Sequence, residues 1–123
     1  MTKIINATTD RMRGNASKAV LIASGQTVAS EGVNLSGHTL TGVLIPTMTG
    51  TSVTFKGSID GTTYYAIKDA TGTAISVTTG GTAGIYKLNP ADFAGLNWIL
   101  PVSASAEAAD RSVTLLCADI LND

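Results

Sequence analysis

The side chains best suited to acid–base, nucleophilic or metal chemistry are few in this sequence: one histidine, one cysteine and a scatter of carboxylates. His38 stands in LSGHTL, at a loop-to-strand junction. A Ser-His-Asp triad would have to use it, yet no Gly-x-Ser-x-Gly elbow or other nucleophile signature accompanies it, and it reads as a surface polar residue. Cys117 sits in an apolar run beside Leu115 and Leu116, where a free thiol behaves as a small hydrophobe; Asp119 nearby disfavours a thiolate. One histidine and one cysteine cannot build a zinc cluster within one chain. Asp60, Asp69, Asp92, Asp110 and Asp119 do not fall into a calcium-loop spacing, which leaves only a calcium ion held by loop carbonyls and one or two acids. Glu31 and Glu107, the two glutamates, stand in loop or strand-end contexts and do not mark the carboxylate pair of a glycoside hydrolase. TTGGTAG, at residues 78–84, lies between strands and lacks the helix N-terminus of a phosphate cradle. The expectation is a protein that is not an enzyme, with no catalytic residues, no cofactor, no metal and no small-molecule substrate.

One stretch, SIDGTTYY at residues 58–65, gathers an acid, a turn and two aromatics. Asp60-Gly61 between alternating segments is a hairpin signal, because Asp and Gly tolerate positive φ. The strand period then sends Tyr64 and Tyr65 to opposite faces. Trp98 shares a face with Leu96 and Leu100 and reads as core. An exposed Trp or Tyr could stack on a sugar or anchor a protein interface, but aromatics at 5% of the chain are too sparse for an extended sugar platform.

The elements that must position these residues are strands. At 123 residues the chain is long enough for one domain, and 44% apolar content excludes global disorder. Charged residues make up 14%, well under the usual quarter or so, which suits a surface partly covered by partners. Net charge is −1 with no Lys/Arg cluster, so no nucleic-acid partner is expected. No apolar run approaches the ~20 residues of a membrane helix, and no signal-peptide core is visible. A lone cysteine forms no intrachain disulfide; with no export signal, the expected place of synthesis is a reducing cytoplasm. Three Asn-x-Ser/Thr sequons, at Asn6, Asn15 and Asn34, are discounted on the same ground.

From Lys18 onward, short β-branched segments recur between turn signals. TSVTFKGSI places Val53, Phe55 and Ile59 on one face, and LNWILPV places Leu96, Trp98, Leu100 and Val102 together, with Pro101 marking an edge or strand end. In HTLTGVLIPTM, Leu40, Leu44 and Met48 share one face while Val43 and Ile45 take the other, as in a strand covered on both sides or one with a face held for a neighbour. NPADFAG predicts a single helical turn, capped by Asn89, begun at Pro90 and ended by Gly95. About eight strands predict an all-β, jelly-roll-like two-sheet sandwich over residues 18–123. Residues 1–17 carry Lys3, Arg11 and Arg13 with few apolar residues beyond Ile4, Ile5 and Met12. They form either a loose terminus or an extended arm that orders against another subunit.

The segments at residues 53–77, 86–105 and 111–120 resemble small structural proteins of tailed bacteriophages. The likeness rests on Phe55, Ser58, Asp60, Gly61 and Tyr64 in a hairpin, on Pro90, Phe93 and Gly95 in a turn, and on Arg111, Val113 and Leu115 in a last strand. It covers about the last 70 residues. It implies a virion component on the capsid surface, made in the bacterial host cytoplasm: a decoration (cement) protein that bridges subunits of the major capsid protein. By analogy it implies a homo-oligomer, with a trimer favoured. Ile4, Ile5, Arg11, Arg13 and Tyr65 are the expected subunit or capsid contacts, and no membrane partner is expected. The competing expectations are a tail, baseplate or head-fibre protein, and a carbohydrate-binding sandwich. The latter would bring Trp98 and Tyr65 into one groove beside Asp60 or Asp69.

Overall fold

The computed structural model describes residues 15–119. Ile4, Ile5, Arg11 and Arg13 lie outside the described residues. The elements run β1 (Asn15–Ile22), β2 (Val33–Asn34), β3 (Thr39–Ile45), β4 (Ser52–Ser58), β5 (Tyr65–Ala66), β6 (Ser76–Thr78), β7 (Gly84–Lys87), a 3-10 turn (Pro90–Asp92), β8 (Trp98–Ser103) and β9 (Arg111–Ala118). Residues 15–17, assigned to the arm from the sequence, are thus the start of β1.

The first half of the chain pairs with the second in reverse order, always antiparallel: β1 with β9, β2 with β8, β3 with β7, and β4 with both β5 and β6. Such a chain is one long hairpin rolled over itself. The roll closes into two sheets, β1-β9-β3-β7 and β2-β8-β4-β5, with β6 also on β4. This is the strand order of a jelly roll, and the predicted all-β two-sheet sandwich is what forms. Among the described residues, nine strands fill eight positions because a tight turn splits one of them. In that turn Asp69 Oδ1 accepts from the Thr71 and Thr73 N–H groups at 2.9 and 3.0 Å, which lowers its pKa; the Thr71 hydroxyl is the largest cause.

The core lies between the sheets. Val20 and Ile22 of β1, Val113, Leu115 and Cys117 of β9, Val53 and Phe55 of β4, and Ile99 of β8 are all buried. Three expectations about faces are overturned. In β3, Leu40, Val43 and Ile45 are all buried, while Leu44 is 42% exposed. The cause is a register shift: Leu116 pairs with Gly42 and Cys117 with Leu40, so a bulge at Thr41 lets residues three apart share a face. In β8 the inward face is the opposite of the one expected. WILPV is apolar at every position, so alternation cannot select the face. Ile99 and Pro101 pair with Gly57 and Phe55 and point inward; Trp98, Leu100 and Val102 take the outer face. Pro101 lies past the end of the two-residue β2, where its carbonyl accepts from Ala29 N–H at 3.1 Å. Finally, Ile59 is 72% exposed and Ser58 is buried, because the chain leaves the strand at Ser58.

The short turn after β7 forms as predicted. Asn89 accepts from the Ala91 N–H at 3.1 Å, Pro90 opens the turn, and Gly95 adopts φ +87°. Its purpose is the insertion of Phe93, whose buried ring meets Phe55 edge-to-face at 5.6 Å and 88°.

Candidate functional site

Ser58 organises the SIDGTTYY stretch. Its hydroxyl donates to Asp60 Oδ1 at 2.9 Å and accepts from the Gly61 N–H at 2.9 Å. Asp60 Oδ1 also accepts from the Thr62 and Thr63 N–H groups at 2.8 and 3.0 Å. The Thr63 and Thr62 bonds, then the Ser58 bond, hold the Asp60 carboxyl below its usual range. Gly61 alone of the Asp-Gly pair takes positive φ, at +80°. The loop drapes over the outer face of the five-stranded sheet. Gly61 lies flat on the Trp98 indole, and Tyr64 reaches Gly32, where any side chain would meet its hydroxyl. Burial, then the Asp60 charge, pushes the Tyr64 phenol up. The two tyrosines separate as the strand period predicts: Tyr64 is half-buried against Gly32 and Tyr65 is 72% exposed.

Alanine at Gly61 would bring a Cβ to 2.9 Å from the indole and force positive φ on a side-chain-bearing residue. Gly61→Ala is expected to cost about 1–3 kcal/mol in urea denaturation. The Trp98 emission should shift as its cover lifts, and an unchanged midpoint would show that the loop does not seal Trp98.

On the other side of this loop lies an open groove of about 590 Å³, lined by Ile59, Tyr65, Ile67 and Leu96 and flanked by Asp60, Asp92 and Lys68. Trp98 is not among its walls, so Trp98 and Tyr65 do not share this groove. A second surface is the outer face of the four-stranded sheet. The pairing places Leu44 beside Ile85 and Thr114, and Leu21 beside Ser112. Ile85 is 64% exposed, and Leu116 is half-buried beside Gly42. Within the strands of this face the one outward charge is Lys87.

The candidate chemical residues are otherwise occupied. His38 Nδ1 lies 3.1 Å from the Leu35 carbonyl and Nε2 3.6 Å from Asp119 Oδ1. Cys117 is buried; burial pushes its thiol up against the opposing effect of Lys18. Among the described residues, no group of three or more His, Cys, Asp or Glu is placed to hold a metal ion. The residue that sequence reasoning missed is Glu107, read as a loop acid and in fact 1% exposed. Its carboxylate accepts from the Thr49 and Gly50 N–H groups at 2.8 and 2.9 Å, from Ser103 Oγ at 2.7 Å and from Arg111 Nε at 3.0 Å. Burial alone would raise its pKa, but these four bonds outweigh it and hold it at about 2. The signal was Glu-x-x-x-Arg spanning the turn into the last strand.

Fold and surfaces together define an antiparallel jelly-roll sandwich whose distinctive features are a groove and an open sheet face. No protein family and no curated protein matches the chain. Among solved structures, the crystal structure of the SPBc2 prophage-derived protein YomS is similar, with a TM-score of 0.62 over 92% of this chain and 100% of that one. At 14% identity the likeness is one of fold.

Proposed function

We propose that this chain is a non-enzymatic structural protein of a tailed-phage particle, working as a decoration protein that bridges subunits of the major capsid protein and associates with its own copies, as a trimer by analogy. The observation that carries the reading is the outer face of the four-stranded sheet. Leu21, Leu44, Ile85 and Leu116 line it beside Ser, Thr, Ala and a single Lys87. A sheet face with exposed apolar residues and so little charge fits assembly better than solvation. Buried apolar area contributes ~25 cal/mol per Å² before the costs of association, and many copies on a lattice reinforce one another. The prophage origin in the structural neighbour's name supports a phage setting.

The test is binding to expanded phage capsids. The native chain should bind in fixed stoichiometry and raise the temperature at which heads break. Leu44→Asp with Ile85→Asp places two charges on adjacent exposed positions and should weaken binding about tenfold or more, with the fold intact by circular dichroism. A chain that binds no capsid lattice overturns the decoration reading. Cryo-microscopy that finds it in the tail or baseplate instead moves it to the competing virion position.

A further inference from the structure

The groove beside Tyr65 is the second surface that the fold leaves open, and its chemistry is mixed. Ile59, Tyr65 and Leu96 offer apolar area, and carboxylates stand on two walls, from Asp60 and Asp92, against the single ammonium of Lys68. Asp60 spends its Oδ1 on the loop, and none of those bonds uses Oδ2. The chain carries a segment of matching composition. Residues 1–14 hold Lys3, Arg11 and Arg13 against Asp10, a charge of +2, so the rest of the chain, at −1 overall, holds −3. The same segment carries Ile4 and Ile5.

We propose that residues 1–14 of one copy seat in this groove on a neighbouring copy, with Arg11 and Arg13 facing Asp60 and Asp92 and the Ile4-Ile5 pair on Ile59 and Tyr65. The proposal rests on the assembly reading above and names the element that links the copies. The order of the sheets gives the donor. β1 and β2 form one edge of the sandwich and β5, β6 and β7 the opposite one. The segment joins the body at β1, and the groove lies along β5. To fill the groove of its own body it would have to wrap around the sandwich. Fourteen residues span up to roughly 50 Å when extended, ample to reach straight to a neighbour. Each copy then gives one segment and receives one, which is how exchanged elements close a symmetric assembly.

The test uses the full chain in solution. Sedimentation equilibrium reads association, and amide exchange reads protection at Ala66–Lys68 and Leu96. Arg11→Glu with Arg13→Glu should weaken association about tenfold and expose those amides. Asp92→Lys should do the same, and it spares the loop that Asp60 organises. Combining the two sets should restore part of the association. Unchanged association and protection in both variants overturns the proposal. Charge-sensitive protection in a strict monomer also overturns it, because the segment would then lie on its own body. Capsid binding is measured separately. A chain that binds capsids without using the groove defeats this proposal alone, and one that associates through the groove but binds no capsid defeats the virion reading alone.

Discussion

Glu107→Ala is expected to remove about 3–5 kcal/mol of folding stability, the range for breaking a buried, hydrogen-bonded charge pair. The loss has identifiable parts. The Thr49 and Gly50 N–H groups and the Ser103 hydroxyl lose their acceptor, and the Arg111 guanidinium, 22% exposed, loses its counter-charge. Each donor left unpaired in a buried place costs about 1–3 kcal/mol where no water enters. Gly50 packs so closely on Ser103 that a side chain there would strike the hydroxyl, so the gap left by the carboxylate would not be filled from that side. These contacts tie the β3–β4 connection to the β8–β9 connection, one end of the roll. Glu107 also gives stability a dependence on pH. Its carboxyl is held at about 2 against an ordinary 4.5, so the folded state favours the ionised form. That contribution is fully present above pH ~4.5 and is lost as the pH falls toward 2. At about 1.4 kcal/mol per pH unit it amounts to about 3 kcal/mol. Urea titrations of the native chain from pH 6 to 2 should show this decline. Glu107→Gln should flatten most of it, leaving a residual slope from Asp60 and Asp69, which are also held low. A Glu107→Gln chain with the native pH profile would refute the assignment.

The sequence showed most where local chemistry is strong. Asp60-Gly61 and Asn89-Pro90 each satisfy their own backbone with their own side chains, so they announce turns without tertiary context. From such turns and the alternating runs between them, the two-sheet sandwich follows. Face assignment was legible only where apolar residues alternate with polar ones, as in β4. In β8 every position from Trp98 to Val102 is apolar, and the inward face was set by what Phe55 and Gly57 pair with across the sheet. In β3 the bulge at Thr41 shifts the period mid-strand, which a two-residue repeat cannot express. Glu107 was hidden for a related reason: its four donors come from residues 49, 50, 103 and 111, and only the roll brings them together. The groove was half visible. Tyr65 and Asp60 lie five residues apart in one stretch, but Asp92 and Leu96 reach the same place only because the turn after β7 is anchored.

That anchor carries the other large expected effect. Phe93→Ala should cost about 3–5 kcal/mol, the range for truncating a buried aromatic ring. Phe93 is 1% exposed, and its ring meets Phe55, itself in the middle of β4. The turn that presents it is one helical turn of three residues, too short to hold itself, so the ring is what keeps the segment on the body. Asp92, Ala94 and Leu96, which line the groove, flank this ring in sequence. The variant should therefore loosen the groove wall before the sandwich unfolds. Amide exchange at Phe93 and Leu96, whose N–H groups bond to the Pro90 and Phe93 carbonyls, should accelerate more than exchange in β9. Phe93→Leu keeps most of the volume and should cost about half as much. A loss below about 1 kcal/mol for the alanine variant would mean that the segment is held by its backbone bonds instead. In that case, the groove would keep its shape without the ring.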